Sequence, residues 1–216
     1  MAIPLVIAAV GGYFLGSVPF GVLFCRLSGK DPRTVGSGRT GGTNVYRTAG
    51  LPPALATVAA DIAKGSLAVW SAPRLAAGGG ASDAALVASV AALAVILGHN
   101  YSVFLHFTGG AGSSPNIGAA LVLDPILGAS ALVVSAAVLF MAGVASIASL
   151  TLATILLAGI VWLVTAAASP PALLLYGAGQ FLLLAWALRP NLVRLLHGTE
   201  RRVAFRRPPG EHTGGA

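Results

Sequence analysis

Two stretches of this chain concentrate residue types that bind phosphate. The first, GKDPRTVGSGRTGGTNVYRTAG from Gly29 to Gly50, interleaves glycine with hydroxyl, amide and guanidinium groups. Glycine admits positive φ and lets backbone N–H groups approach a ligand closely, and successive N–H groups in such turns form an anion-binding nest. Ser37, Thr40, Thr43 and Asn44 add neutral hydrogen-bonding groups, while Arg33, Arg39 and Arg47 add charge. That mixture suits a phosphate. The competing reading is a flexible basic loop lying on anionic headgroups, which needs no ordered set of glycine, hydroxyl and amide residues. Gly36-Ser37-Gly38-Arg39-Thr40-Gly41 also fits G-x-G-x-x-G, but a dinucleotide fingerprint requires a preceding strand, and an apolar helix-length segment precedes it here.

The second stretch, GHNYSVFLHFTGGAGSSPN from Gly98 to Asn116, carries His99 and Asn100 at the end of an apolar run. Polar groups at that depth are tolerated where they face a cavity or a partner. The run Gly109-Gly110-Ala111-Gly112-Ser113-Ser114 is a candidate second nest, with a simple helix-to-helix turn as the alternative; it lacks the lysine of a P-loop. Asn191 to Glu200 forms a short amphipathic stretch that alone would pass as an interfacial anchor. Asp61 and Lys64 stand at i, i+3 and can neutralise each other on one helical face. The four histidines show no paired-ligand spacing and Cys25 is alone, so no metal is indicated.

Composition dictates what must position these groups. Of 216 residues, 56% are hydrophobic and 9% charged, far below the roughly 25% charged of soluble domains. No Lys or Arg lies between Arg74 and Arg189, and Ile126–Leu188 holds no formal charge, well beyond the roughly 20 residues that cross a bilayer. The net charge of +7 sits beside apolar segments, as the positive-inside rule expects, and does not form the basic face that nucleic acid requires. The chain reads as all-α: a polytopic membrane helix bundle of about seven transmembrane helices with glycine-rich cytoplasmic loops. Spans are expected near Ile3–Leu27, Leu51–Leu75, Ala84–Gly98, Asn116–Leu123 with its flanks (too short to cross unless preceding residues are also helical), Ile126–Ala142, Ala145–Ala168 and Pro171–Leu188, with GGGASD as a turn. Asp124-Pro125 leaves one kinked helix as the alternative to two spans. Residues 1–216 form one integral membrane domain, with 201–216 expected as a flexible cytoplasmic tail.

With these segments in view, the chain resembles the acyl-phosphate-dependent glycerol-3-phosphate acyltransferase family of bacterial membranes, PlsY, over nearly its full length. The family's D-x-R-x-x-G-S-G-N-x-G-A-T-N-x-x-R is similar to Asp31–Arg47, and its D-x-x-K-G to Asp61, Lys64 and Gly65. Its G-H-x-x-P-V-F-L-x-F-x-G-G-K-G resembles Gly98–Gly112, and its N-x-x-R-L-x-x-G-x-E resembles Asn191–Glu200. The resemblance implies transfer of a fatty acyl group from acyl phosphate to glycerol 3-phosphate, giving lysophosphatidic acid for phospholipid synthesis at the cytoplasmic face of the bacterial inner membrane. It implies catalytic roles for Ser37, Arg47 and Asn191. Substrate binding is implied for Gly36, Gly38, Arg39, Thr43, Asn44, His99, Gly109, Gly110, Gly112 and Ser146. Glycerol 3-phosphate, fatty acyl phosphate and membrane lipid are the implied partners, with no nucleic acid and no cofactor or metal.

The chain departs from that pattern at several positions. The family's G-G-K-G lysine is Ala111, the asparagine of G-S-G-N is Arg39, and the histidine three residues before Asn191 is Leu188. Ala187 and Gly143 stand where the family has arginine, and Ser102 where it has proline. Arg39 is a candidate to restore the charge missing at Ala111. The alternative function is a relative that binds phosphorylated lipid precursors or a partner enzyme without turnover. A small-solute transporter is the third reading, for which paired broken segments in two related halves are expected and are absent. No histidine is followed five residues later by aspartate, which excludes the His-x-x-x-x-Asp acyltransferases.

Overall fold

Lipid offers no partner to a backbone N–H or C=O, so every segment within it must satisfy its own polar groups. The computed structural model describes residues 1–75 and 80–203, apart from the side chain of Pro73, and answers this demand with helices. They are α1 (Ala2–Ser17), α2 (Phe20–Arg26), α3 (Gly42–Ala49), α4 (Leu51–Leu75), α5 (Ala81–Asn100), α6 (Ser113–Leu123), α7 (Pro125–Ala142), α8 (Ala145–Thr165) and α9 (Leu173–Leu196). Only α3 lies wholly within a segment read from sequence as a polar loop. The expected GGGASD turn is shorter than its motif: Gly80 caps α5 and Ala81–Asp83 belong to the helix, while Gly78 and Gly79 lie outside the described residues.

Among the described residues, five segments are long and apolar enough to cross a bilayer: Ala2–Arg26, α5, α7, α8 and α9. The 25-residue α4 is long enough, but Asp61 and Lys64 sit within it. The segment expected as a span at Asn116–Leu123 is α6, which begins at Ser113 and has 11 residues. At 1.5 Å per residue it rises about 16 Å, half of a ~30 Å hydrocarbon core. Alone it falls short of that core, and helices of spanning length and apolarity account for five of the expected seven crossings among the described residues. Asp124 ends α6 and starts α7, its Oδ1 accepting from the Leu127 N–H at 2.8 Å with Pro125 in the first turn, so the two helices form a hairpin and not one kinked rod.

Close approach in an apolar solvent depends on small residues. The faces of α1 and α5 meet through a reciprocal pair: a Cβ on Gly16 would lie 2.1 Å from the Val95 carbonyl oxygen, and one on Gly98 would lie 2.1 Å from that of Tyr13. The α4–α6 contact repeats the device with Gly65 against Pro115 and Gly118 against Ile62, each 2.0 Å. A buried polar network fixes α6 to the far side of the bundle. Tyr176 donates to Asn116 Oδ1 at 2.6 Å, Asn116 Nδ2 donates to Gln180 Oε1 at 2.8 Å, and Gln180 Nε2 donates to the Ala153 carbonyl at 2.9 Å. The indole of Trp70 under Arg74 and that of Trp186 under Arg189 mark opposite ends of the bundle, the positions favoured by interfacial aromatic and basic residues.

Asp61 and Lys64 pair as their spacing predicts, 2.7 Å apart and both almost fully buried. Pro19 separates α1 from α2 and frees carbonyls that lipid cannot satisfy. Lys64 Nζ donates to the Val18 carbonyl at 3.1 Å, and Ser102 Oγ donates to the Ser17 carbonyl at 2.6 Å. Removing one member of a buried pair strands the other, at a cost of about 3–5 kcal/mol. Lys64→Met is therefore expected to lower unfolding stability in detergent by about that amount, and the double variant Asp61→Asn/Lys64→Met should recover part of it. Equal stability of the single and double variants would contradict a coupled pair.

Candidate active site

The polar segments that are far apart in sequence converge on one cavity of about 260 Å³. Three helices begin at its wall. Gly42 and Thr43 open α3, Ser113 and Ser114 open α6, and Ala145 and Ser146 open α8; all six residues line the cavity. None of these N-termini is capped by a side chain, so their first N–H groups are available to a ligand. Helix N-termini also carry partial positive charge, and they are ready anion sites. Gly112, at φ 91°, turns the chain into α6.

Arginines surround the same space. Arg39, Arg47 and Arg201 all line it. The Arg39 Nη2 donates to the Ala187 carbonyl on α9, so its guanidinium sits beside Ala187 and Leu188. Burial lowers the pKa of Arg39, with the nearby Arg194 adding to the effect. Burial and Arg201 do the same to Arg47. Both groups remain cations at any physiological pH, and the shared direction reports chiefly their burial.

Two cavity groups are buried without partners: Ser146 Oγ and Asn191 Oδ1. Asn191 Nδ2 donates to Glu200 Oε1 at 2.7 Å. An ionised carboxylate only accepts, so the amide must turn its nitrogen to Glu200 and present its oxygen to the cavity. Asn191 thus offers an acceptor, suited to a hydroxyl. Away from the charges, the cavity continues between apolar side chains, among them Ile117, Leu132, Leu139 and Leu152.

Of the residues singled out from sequence, Ser37, Arg39, Thr43, Asn44, Arg47, His99, Gly112, Ser146 and Asn191 line the cavity. Gly36, Gly38, Gly109 and Gly110 stand behind it. Asn44 is fully engaged by its own loop: Nδ2 donates to the carbonyls of Pro32, Val35 and Arg39, and Oδ1 accepts from the Ser37 N–H at 3.1 Å. It holds the loop in shape, and Gly36, at φ 61°, passes where a Cβ would strike that Oδ1. His99 is likewise held from behind, its Nδ1 3.0 Å from Lys64 Nζ and 3.5 Å from Asp61 Oδ1. Sequence reasoning missed Arg201, which it placed at the start of a flexible tail. It also missed Ser149, whose hydroxyl accepts from that of Ser113 in the second glycine-rich run at 2.7 Å. The glycine preceding Ser113 is the one signal that could have flagged a helix N-terminus there.

A family model described as Glycerol-3-phosphate acyltransferase matches residues 6–198. A glycerol-3-phosphate acyltransferase of Thermus thermophilus is 40% identical over 199 residues, covering 90% of this chain and 92% of that one. The fold is similar to the crystal structure of PlsY, an integral membrane glycerol 3-phosphate acyltransferase, in its glycerol 3-phosphate form. The TM-score is 0.80 at 29% identity, covering 92% of this chain and 94% of that one. The lysophosphatidic acid form of PlsY gives 0.77 at 27% identity with the same coverage.

The ring of His99 fits only because residue 110 has no side chain. A Cβ there would lie 2.0 Å from Nε2, and the ring cannot retreat without leaving Lys64. Gly110→Ala is expected to cost about 1–3 kcal/mol of stability, read as a lower melting temperature in detergent. Gly11→Ala, where nothing lies within 4 Å, serves as the neutral comparison; similar losses in both would refute the steric argument.

Proposed function

The chain belongs to the glycerol-3-phosphate acyltransferase family, matched over residues 6–198, and on that premise we propose that its cavity joins a fatty acyl phosphate to glycerol 3-phosphate. It is an acyltransferase acting on glycerol 3-phosphate, as its relatives are. The observation that carries the choice of donor is the shape of the cavity: three uncapped helix N-termini and three arginines at one end, an apolar channel at the other. That combination suits an amphiphile whose anionic head is a phosphate and whose tail is a hydrocarbon chain.

An acyl phosphate is an activated mixed anhydride, so juxtaposition of donor and acceptor supplies most of what the reaction needs. The glycerol hydroxyl oxygen attacks the acyl carbonyl carbon, an ester C–O bond forms, and the C–O bond to phosphate breaks. The hydroxyl proton passes to a phosphate oxygen; of the titratable groups at the cavity, Glu200 is held by Asn191 and Arg194, and His99 by Lys64 through Nδ1. Lysophosphatidic acid and inorganic phosphate result. Asn191 Oδ1 accepts from the attacking hydroxyl and orients it. Ser37, Thr43, Ser146 and the N–H groups of α3 and α8 bind phosphate oxygens, and those of α6 at Gly112–Ser114 bind the second phosphate. Such preorganised donors stabilise the charge that grows on the carbonyl oxygen and the departing phosphate. Asn44, Gly36, Gly38, Gly109 and Gly110 act one step back, by shaping the two loops, and His99 braces the second of them.

Arg39 takes the place of the cation missing at Ala111. Both residues line the cavity, and the guanidinium occupies the space beside Ala187 and Leu188, where the family pattern has arginine and histidine. The charge is thereby kept on a different element. Positive residues flanking the cavity end, Arg26, Lys30 and Arg33 among them, support a cytoplasmic orientation in the bacterial inner membrane by the positive-inside rule.

Purified protein in detergent, given palmitoyl phosphate, should release phosphate in a manner dependent on glycerol 3-phosphate. Absence of release beside an active relative in the same detergent would instead favour a binding relative without turnover. Within the active protein, Arg39→Ala should lower kcat/KM roughly ten- to a hundredfold, the equivalent of about 1.5–3 kcal/mol for a charge-assisted contact. Unchanged kinetics would remove Arg39 from the site.

A further inference from the structure

The chain does not leave the site when α9 ends. Gly198, at φ 68°, turns it back, and Glu200 is gripped by Asn191 Nδ2 at 2.7 Å and by Arg194 Nε at 2.9 Å. Three residues later Val203 is almost fully buried, and its N–H donates to the Gly143 carbonyl at 2.6 Å. Gly143 is the turn between α7 and α8. Between these two anchors, Arg47 on α3 donates to the Arg202 carbonyl at 3.4 Å. Residues 199–203 therefore form a strap across the cavity mouth, tied to α9, α3 and the α7–α8 turn. Fixing each backbone residue costs about 1–2 kcal/mol of conformational entropy, so an unsupported tail would not hold this course.

We infer that the strap presents Arg201 to the cavity as a phosphate-binding residue, paired with Arg47 on the phosphate monoester of the water-soluble substrate. Arg201 lines the cavity yet is exposed, which places it at the mouth. The described ion pairs are Arg33–Asp31, Lys64–Asp61, His99–Asp61 and Arg194–Glu200; neither Arg47 nor Arg201 belongs to one. The nearest carboxylate, Glu200, is committed through both oxygens to Asn191 and Arg194. Two guanidiniums close enough for Arg201 to depress the pKa of Arg47 repel each other until an anion lies between them, and guanidiniums bind phosphate through paired N–H groups. The choice of substrate rests on the acyltransferase reading above. Glycerol 3-phosphate arrives from water at the mouth, whereas the acyl phosphate arrives by its tail from the apolar channel.

Gly143, at φ 66°, makes the turn between α7 and α8 and offers its carbonyl to the strap.

The test measures KM for glycerol 3-phosphate and for palmitoyl phosphate separately, together with calorimetric binding of inorganic phosphate, in the full chain and in Arg201→Gln, Arg201→Lys and Val203→Asp. Arg201→Gln is expected to raise KM for glycerol 3-phosphate about tenfold, with kcat and KM for palmitoyl phosphate within about twofold. Arg201→Lys should recover part of the loss. Val203→Asp, which keeps Arg201 but releases its anchor, should reproduce the same KM change; Val203→Ser replaces it if the aspartate prevents folding. An unchanged KM for glycerol 3-phosphate in Arg201→Gln, or a change confined to palmitoyl phosphate, would overturn the inference. Phosphate binding needs no turnover, so it separates the two readings: an inactive chain whose phosphate affinity still falls in Arg201→Gln loses the acyltransferase reading and keeps Arg201 as an anion ligand. Equal phosphate affinity in both proteins removes Arg201 as well.

Discussion

The Asp61–Lys64 pair is the interaction on which the arrangement of this protein depends. A broken helix inside a bilayer leaves carbonyls that lipid cannot satisfy; at the Pro19 break the Val18 carbonyl keeps only a tight-turn bond from the Phe20 N–H, at 3.1 Å. Lys64 answers it, while Asp61 answers Lys64 at 2.7 Å. The same ammonium reaches His99 Nδ1, and the His99 carbonyl accepts the Gly110 N–H at 3.0 Å. One buried charge pair thus links the first membrane segment, α4 and the loop that leads into α6. Burying charge is expensive, and here the cost is offset by joining three elements through polar groups for which lipid offers no competing partner.

What those elements then hold is the proposed anion site, made largely from backbone. Helices α3, α6 and α8 begin at one cavity without side-chain caps. In a soluble loop water would take up these N–H groups, whereas a recessed cavity leaves them for a ligand. A site of this kind tolerates exchange of individual cations. Alanine at 111, leucine at 188 and glycine at 143 remove charge or hydrogen-bonding capacity from the family pattern, and Arg39 supplies a cation at the same wall, tethered to the Ala187 carbonyl. The electrostatic requirement belongs to the cavity as a whole more than to any one position on its rim.

The half-length α6 gives the cavity its depth. Because it rises only about 16 Å, its N-terminus lies between longer helices, and the cavity runs from charged groups to the apolar side chains of α6, α7 and α8. Asn116, Gln180 and Tyr176 lock α6 to α8 and α9 with every polar atom of the network engaged. A helix too short to be held by spanning the bilayer is held by hydrogen bonds that have no aqueous competitor.

The sequence by itself determined the solvent, the helices and the ligand chemistry. Hydropathy and charge spacing specify lipid, since those quantities are sums over local residues. The Gly29–Gly50 and Gly98–Asn116 segments announce an anion site through residue types alone, and the i, i+3 spacing of Asp61 and Lys64 announces their pairing. Tertiary structure decided what each polar residue faces. Asn44 was legible as a hydrogen-bonding group, but only packing shows its amide turned into its own loop. The Asn116–Leu123 segment reads as a span from its hydropathy; its shortness matters only once α4 and α7 flank it. Arg201 looks like the start of a tail, because the contacts that return it to the cavity come from Asn191, Arg194, Arg47 and Gly143. Two of these four, Arg47 and Gly143, lie more than 50 residues away, and periodicity along a chain carries no information about such partners.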